Sequence, residues 1–138
     1  MSMMITILGP TACGKTRLAV NVASRLGGEI ISADSRQVFK GMDIGTGKDL
    51  DEYDIDGNIV PYHLIDIRDP GYEYNVFEFQ NDFRKAYNSI TLRQKLPILC
   101  GGTGMYIESV LRCYHLSDVP QNYELRKELE NYSDDELT

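Results

Sequence analysis

The sequence predicts a three-layer α/β fold built on a parallel sheet. Three observations carry this expectation. A short apolar run at residues 4–8 leads into Gly9-Pro10-Thr11-Ala12-Cys13-Gly14-Lys15-Thr16, and helix-spaced apolar residues follow. A second apolar run, 29–33, comes directly after that helix. A third, 97–100, runs into Gly101-Gly102-Thr103-Gly104 and then into another helical stretch. Strand, glycine-rich turn, helix and strand make a βαβ unit, which implies parallel strands and a right-handed crossover.

Each element has a local reason. Residues 4–8 are short, apolar and bounded by Gly9-Pro10, which predicts a buried strand. Within 15–26, Leu18, Ala19, Val22, Ala23 and Leu26 fall on one helix face. Gly27-Gly28 stops that helix. Residues 29–33 form the next strand, which ends at Asp34. Residues 36–58 are rich in Gly and Asp and read as loop with short elements. A strand is expected around His63-Leu64-Ile65-Asp66-Ile67. Val76, Phe79, Phe83, Ala86, Tyr87 and Ile90 recur every three or four positions, predicting an amphipathic helix over 75–94. Phe77, Phe79, Phe83 and Tyr87 then read as core rather than as a base-stacking platform. A strand at 97–100 and a helix at 105–112 follow, and after a loop with Pro120, residues 123–132 read as helix. There is no internal repeat.

At 138 residues the chain is long enough for one domain with a core, and 42% hydrophobic with 25% charged residues is a globular composition. No apolar run approaches the ~18 residues of a membrane span. The start carries no basic stretch or cleavage pattern, so it reads as a strand rather than a signal peptide, and a cytoplasmic protein is expected. Cys13, Cys100 and Cys113 lack metal-ligand spacing and form no even framework, so reduced thiols are expected. The formal net charge of −7 argues against nucleic-acid contact, because phosphates call for Lys and Arg. The acid is nevertheless concentrated in two runs, 49–56 and 124–136, of the kind that form solvated faces.

Residues 9–16 match the pattern G-x-x-x-x-G-K-[ST] in the strand-to-helix context it requires. The expected architecture is therefore the P-loop nucleoside-triphosphate-hydrolase-like fold. The glycines let the backbone curl so that successive N–H groups point at phosphate oxygens, and the helix start adds a favourable dipole. Lys15 would bring charge to the terminal phosphates, and the Thr16 hydroxyl could ligate magnesium. A diphosphate suits such a cradle as well as a nucleotide does. Asp34 follows a strand at the edge where open α/β sheets bind ligands. Its carboxylate could take a proton, hold a metal, or simply cap a turn. Thr103 leaves a third strand at the same edge, where a glycine-rich turn either presents N–H groups to an anion or only turns the chain. A typical nucleotide hydrolase shows an apolar strand ending in Asp, but the 97–100 strand ends in Gly instead, and His63-Leu64-Ile65-Asp66 is a weak match, which mildly disfavours hydrolysis. His63 and His115, the two histidines, read as packing or surface residues.

Taken in order, segments 9–16, Ile-Ser-Ala-Asp-Ser-Arg-Gln (31–37), Lys-Gly-Met-Asp-Ile-Gly-Thr-Gly-Lys (40–48), Pro-Tyr-His-Leu-Ile-Asp-Ile (61–67) and Leu-Pro-Ile-Leu-Cys-Gly-Gly-Thr-Gly-Met-Tyr (96–106) resemble the tRNA dimethylallyltransferases. The resemblance spans roughly positions 4–112. It implies transfer of a dimethylallyl group from dimethylallyl diphosphate to the exocyclic amine of the adenosine beside a tRNA anticodon. By the same resemblance, Asp34 matches the general base and Thr103 the residue bonding the bridging oxygen. Gly9, Pro10, Thr11, Ala12, Cys13, Gly14, Lys15 and Thr16 match the diphosphate cradle. Asp34, Ser35, Arg36, Gln37, Thr103 and Arg126 match tRNA-contacting positions, Arg126 more loosely. Mg2+ would be the cofactor, tRNA and dimethylallyl diphosphate the partners, and a monomer the expected state. Cys13 departs from the small residue, commonly Ser, found there in the family; a loop acting through its backbone tolerates such a change.

Family members are longer. Residues 1–112 therefore read as the N-terminal part of a catalytic core and 113–138 as the start of a helical tRNA-binding insertion. The rest, including a diphosphate-holding arginine, is expected beyond Thr138, and the chain could be an inactive fragment. An adenylate isopentenyltransferase, a small-molecule P-loop kinase and a non-catalytic phosphate-binding module are the competing readings.

Overall fold

The computed structural model describes residues 3–10, 14–41 and 50–112. Its chain order is β1 (Ile5–Leu8), α1 (Lys15–Leu26), β2 (Gly28–Ala33), a 3-10 turn (Leu50–Tyr53), β3 (Asp54–Ile55), β4 (Asn58–Ile59), β5 (Tyr62–His63), α2 (Val76–Leu92), β6 (Leu96–Gly101) and α3 (Gly104–Leu111). Four strands make one parallel sheet in the order β1-β6-β2-β5, and β3 and β4 pair as a separate hairpin. The predicted helix at 123–132 and the whole of 113–138 lie outside the described residues.

The three layers follow from the two-residue period of the strands. Ile30 on β2 with Ile98 and Cys100 on β6 face one side, where Ala19, Val20 and Ala23 of α1 cover them. Ile31, Ala33 and Leu99 face the other side, against Phe79, Phe83, Ala86 and Ile90 of α2 and Tyr106 and Ile107 of α3. Every residue of β2 is buried, as expected of a strand covered on both faces. Phe79 and Phe83 are core, as their spacing implied.

Three expectations need correction. Residues 4–8 predicted a buried strand, but β1 is an edge strand that pairs only with β6 among the described residues, and Leu8 is 65% exposed. The strand expected over 63–67 ends at His63, because Leu64 (φ 66°) and Asp66 (φ 57°) take left-handed backbone that breaks a strand. Gly27 closes α1 alone, while Gly28 already belongs to β2.

At the foot of the sheet, Glu29 is buried near the start of β2 with two hydrogen-bonding partners. Arg93, just past α2, binds both carboxylate oxygens, and His63 of β5 donates across 2.8 Å. One acid thus ties together two strands and a helix end. Burial alone would raise the Glu29 carboxyl. Hydrogen bonds from Arg93 and His63, with their charges, outweigh it and hold the group below its ordinary 4.5. A lowered folded value means the unfolded chain takes up the proton first. The stabilisation is therefore complete above about pH 4.5 and is lost as pH falls through the folded value. Glu29→Gln should cost about 1–3 kcal/mol at pH 7 in denaturant unfolding, the scale of lost hydrogen bonds to a charged group. The deficit relative to wild type should shrink below pH 4, and a constant deficit would separate Glu29 from the acid sensitivity.

Candidate active site

The upper edge of the parallel sheet gathers three turns. The first leaves β1. Gly9 N donates to Gly101 O across 3.4 Å, which lays the start of the loop against β6. Gly14 stands before α1 in left-handed backbone, φ 83°, which a side chain would strain. No side chain caps α1, and its first turn holds no acidic residue. Its leading N–H groups are thus unopposed by protein charge, the condition for anion capture at a helix start. Lys15 Nζ lies 3.1 Å from Pro10 O, bridging the loop to the helix. Thr16 follows in the first turn. Thr11, Ala12 and Cys13 lie outside the described residues.

The second turn leaves β2. Asp34 is buried, 6% exposed, and its Oδ1 accepts the Arg36 N–H at 2.9 Å. The Arg36 guanidinium is 3.8 Å from the same oxygen and half-exposed. Gln37 is braced to the strand, accepting a hydrogen bond from the Ser32 hydroxyl at 3.0 Å. One carboxylate oxygen of Asp34 thus holds the turn, as in the capping reading. The other has no bond among the described residues.

The third turn leaves β6. Gly101 admits no side chain: a Cβ there would lie 2.3 Å from Ala33 O. A Cβ on Gly102 would lie 2.9 Å from Gly9 O and 3.8 Å from Lys15 Nζ. These approaches leave no room between the phosphate loop, β6 and the end of β2. Thr103 N donates to Ala33 O at 3.1 Å, and Thr103 precedes α3 without capping it. Its hydroxyl instead accepts the Ser35 N–H at 3.0 Å and lies 3.4 Å from Ser35 Oγ. Lys15, Gly102, Thr103, Ser35 and Asp34 therefore form one continuous edge. Asp66, the weak candidate for a hydrolase aspartate, follows β5, which two strands separate from β1. That is the wrong side of the sheet for a metal beside the loop.

Comparison with known proteins fits this layout. A family model described as IPP transferase matches residues 37–138, and one described as isopentenyl transferase matches residues 2–57. The chain belongs to the IPP transferase family. It is 66% identical over 135 residues to tRNA dimethylallyltransferase 1 of Porphyromonas gingivalis, covering 98% of this chain and 45% of the relative. It is 63% identical over 134 residues to tRNA dimethylallyltransferase 1 of Parabacteroides distasonis, covering 97% and 44%. Among solved structures it is similar to the full-length tRNA isopentenylpyrophosphate transferase of Bacillus halodurans, with TM-score 0.79, 44% identity and coverage of 94% of this chain and 42% of that one. A eukaryotic dimethylallyltransferase acting on tRNA matches with TM-score 0.78, 29% identity and coverage of 98% and 34%. The chain spans under half the length of these relatives.

The sequence reading missed an aromatic and acidic group lying between the starts of α2 and α3. Arg68 bonds Asp82 at 3.0 Å and lies over the rings of Tyr72 and Tyr74, 5.5 Å and 5.1 Å from their centroids. The Tyr74 hydroxyl donates to Asp82 at 2.7 Å and that of Tyr72 to Glu78 at 2.6 Å. Burial first, then the Asp82 carboxylate, holds the Tyr74 phenol well above its ordinary range. Tyr106 stacks on Phe79 nearby, with centroids 4.4 Å apart. The only sequence signal was the Tyr that ends Gly-Gly-Thr-Gly-Met-Tyr, three positions after Thr103. Arg126 lies outside the described residues.

Two outcomes test this arrangement. Gly101→Ala should destabilise the fold by roughly 3 kcal/mol in thermal or denaturant unfolding, because the clash is with backbone that cannot rotate away. An unchanged midpoint would mean that the strands can part there without cost. Inorganic diphosphate should bind the chain in calorimetry, and Lys15→Ala should weaken it about 10- to 100-fold, the worth of a charge-assisted hydrogen bond. Equal binding by wild type and variant would remove Lys15 from the cradle.

Proposed function

We propose that this protein transfers a dimethylallyl group from dimethylallyl diphosphate to the exocyclic amine of the adenosine adjacent to the anticodon of tRNA, acting in the cytoplasm as a monomer. In this reading residues 1–112 belong to the catalytic core and 113–138 begin a helical tRNA-binding insertion that includes Arg126. The observation that carries it is the oxygen of buried Asp34, unbonded among the described residues, on the same sheet edge as the Thr103 hydroxyl and the uncapped start of α1.

An aromatic amine is a weak nucleophile. Its nitrogen attacks the first prenyl carbon as the bond from that carbon to the bridging oxygen breaks, and the electron pair leaves with the diphosphate. Asp34 takes the proton that the amine sheds. Charge grows on the leaving diphosphate, where Lys15, the N–H groups of loop 9–16 and the Thr103 hydroxyl stabilise it. Ser35 N–H occupies an acceptor site of Thr103, and the Thr103 hydroxyl donates to Ser35 Oγ only across a long 3.4 Å, so its proton can turn outward to a diphosphate oxygen. Ser35, Arg36 and Gln37 meet the acceptor nucleotide, which must leave its stack to reach Asp34.

Magnesium fits the donors present. Among the described residues no cluster of three or more His, Cys, Asp or Glu could hold a metal. A single hard oxygen, that of Thr16, opens α1 beside the loop. That suits an ion that takes one or two protein oxygens and completes its shell with phosphate and water. When bound, magnesium would offset diphosphate charge.

Asp34→Asn tests the reading in the complete gene product that carries this sequence. Asn keeps the Arg36 turn bond and the size of the side chain but cannot take a proton. Prenyl transfer to an anticodon stem-loop should fall about 100- to 10,000-fold, with prenyl-diphosphate affinity unchanged. Near-normal turnover would leave Asp34 a turn cap only. Joint loss of affinity and turnover would make it a metal ligand.

A further inference from the structure

Tyr106 has an unusual environment for a phenol. The residue is only 6% exposed, yet its hydroxyl has no hydrogen-bond partner among the described residues; the hydrogen bonds of Tyr106 are those of its backbone. A buried tyrosine normally bonds its O–H, so a missing partner calls for one from outside the protein. Nor is the oxygen sealed off, since the sealed, unpartnered side-chain atom among the described residues is Glu78 Oε2.

The ring cannot swing to find a partner. Phe79 lies nearly parallel to it, 13° between planes, and Tyr74 meets it edge-on at 6.3 Å. Tyr106 sits in the first turn of α3, and helix side chains lean toward the helix start, here the ligand-binding edge of the sheet. Its N–H bonds Thr103 O at 3.1 Å, and Thr103 N bonds Ala33 O at 3.1 Å, one residue before Asp34. The first turn of α3 and the Asp34 turn are thus held side by side.

We propose that Tyr106 is a specificity-determining residue of the acceptor pocket, its phenol donating a hydrogen bond to the purine ring nitrogen N1, next to the exocyclic amine that meets Asp34. This inference rests on the function proposed above. Adenine shows an N–H donor and a ring-nitrogen acceptor side by side on that edge. An acceptor, Asp34, beside a donor, Tyr106, is the complementary pair. Guanine shows a carbonyl acceptor and an N–H donor in the same places, so acceptor would face acceptor and donor would face donor. Burial and the carboxylates of Glu78 and Asp34 hold the phenol above its ordinary range, so it keeps its proton and acts as a donor at neutral pH.

The test is a cycle on the complete gene product, with anticodon stem-loops carrying adenosine or 1-deazaadenosine at the acceptor position. Deazaadenosine keeps the amine and lacks the ring nitrogen. Tyr106→Phe keeps the stacked ring and lacks the hydroxyl. Each change alone should lower kcat/KM by about three- to tenfold, the worth of one hydrogen bond, and both together should lower it no further. Diphosphate affinity and the unfolding midpoint of Tyr106→Phe should match wild type. Multiplied losses, full activity of wild type on the deaza substrate, or weakened diphosphate binding by the variant would each overturn the assignment. If wild type fails on the adenosine substrate, the proposed function falls, and this inference falls with it.

Discussion

The edge where the turns meet depends on one close approach. β6 runs so near the end of β2 that Gly101 has no room for a side chain against Ala33. Gly102 closes on the Gly9 carbonyl in the same way, with the end of the Lys15 side chain beside it at ordinary contact distance. Because these contacts are backbone to backbone, they fix the turns with little conformational latitude. The phosphate loop, the Thr103 turn and the Asp34 turn are placed relative to one another by main chain. Side chains then need only short reaches to share a ligand.

Upon that frame, polar side chains brace one another without using up their reactive capacity. Asp34 spends one oxygen on Arg36 N and keeps the other. Thr103 forgoes its capping role and accepts Ser35 N–H instead. The helices α1 and α3 both begin without a side-chain cap. Uncapped helix starts cost stability, commonly about 1 kcal/mol each by comparison with capped ones. α2, which begins with Asn75 accepting Glu78 N–H, shows what the same chain does where no ligand is expected. The stabilising hardware sits elsewhere, in the two apolar layers and in the Glu29 cluster at the opposite end of the strands.

Much of this was legible in advance, for identifiable reasons. α2 shows its apolar face at helical spacing, α1 only in part, since Ala19 and Ala23 are buried while Leu18 and Leu26 are exposed and Val20 is buried in their stead. β2 and β6 are apolar runs ending at Asp34 and Gly101-Gly102. The glycine-rich turn between β1 and α1 carries its own chemical signature. Strand neighbours were less legible: β6, remote in sequence, inserts between β1 and β2, and only long-range packing decides that. The segment 63–67 misled because Leu64, Ile65 and Ile67 made it apolar enough to suggest a strand, while left-handed Leu64 and Asp66 break it. Arg68, Tyr72, Tyr74, Glu78, Asp82 and Tyr106 are scattered over 39 positions, counting from 68 to 106, and no spacing rule links them before the chain folds.

The strand that carries the phosphate loop is also an edge strand, paired on a single side among the described residues, and its last residue, Leu8, is well exposed. Local opening of a sheet begins at such edges, where the fewest hydrogen bonds must break together. A ligand gripping the loop binds only while β1 is docked, so mass action transfers part of its binding free energy to that strand. A bound ligand then serves as a structural component of the sheet. Amide exchange along Ile5–Leu8 would slow on ligand binding, whereas β2, buried on both faces, would hardly change.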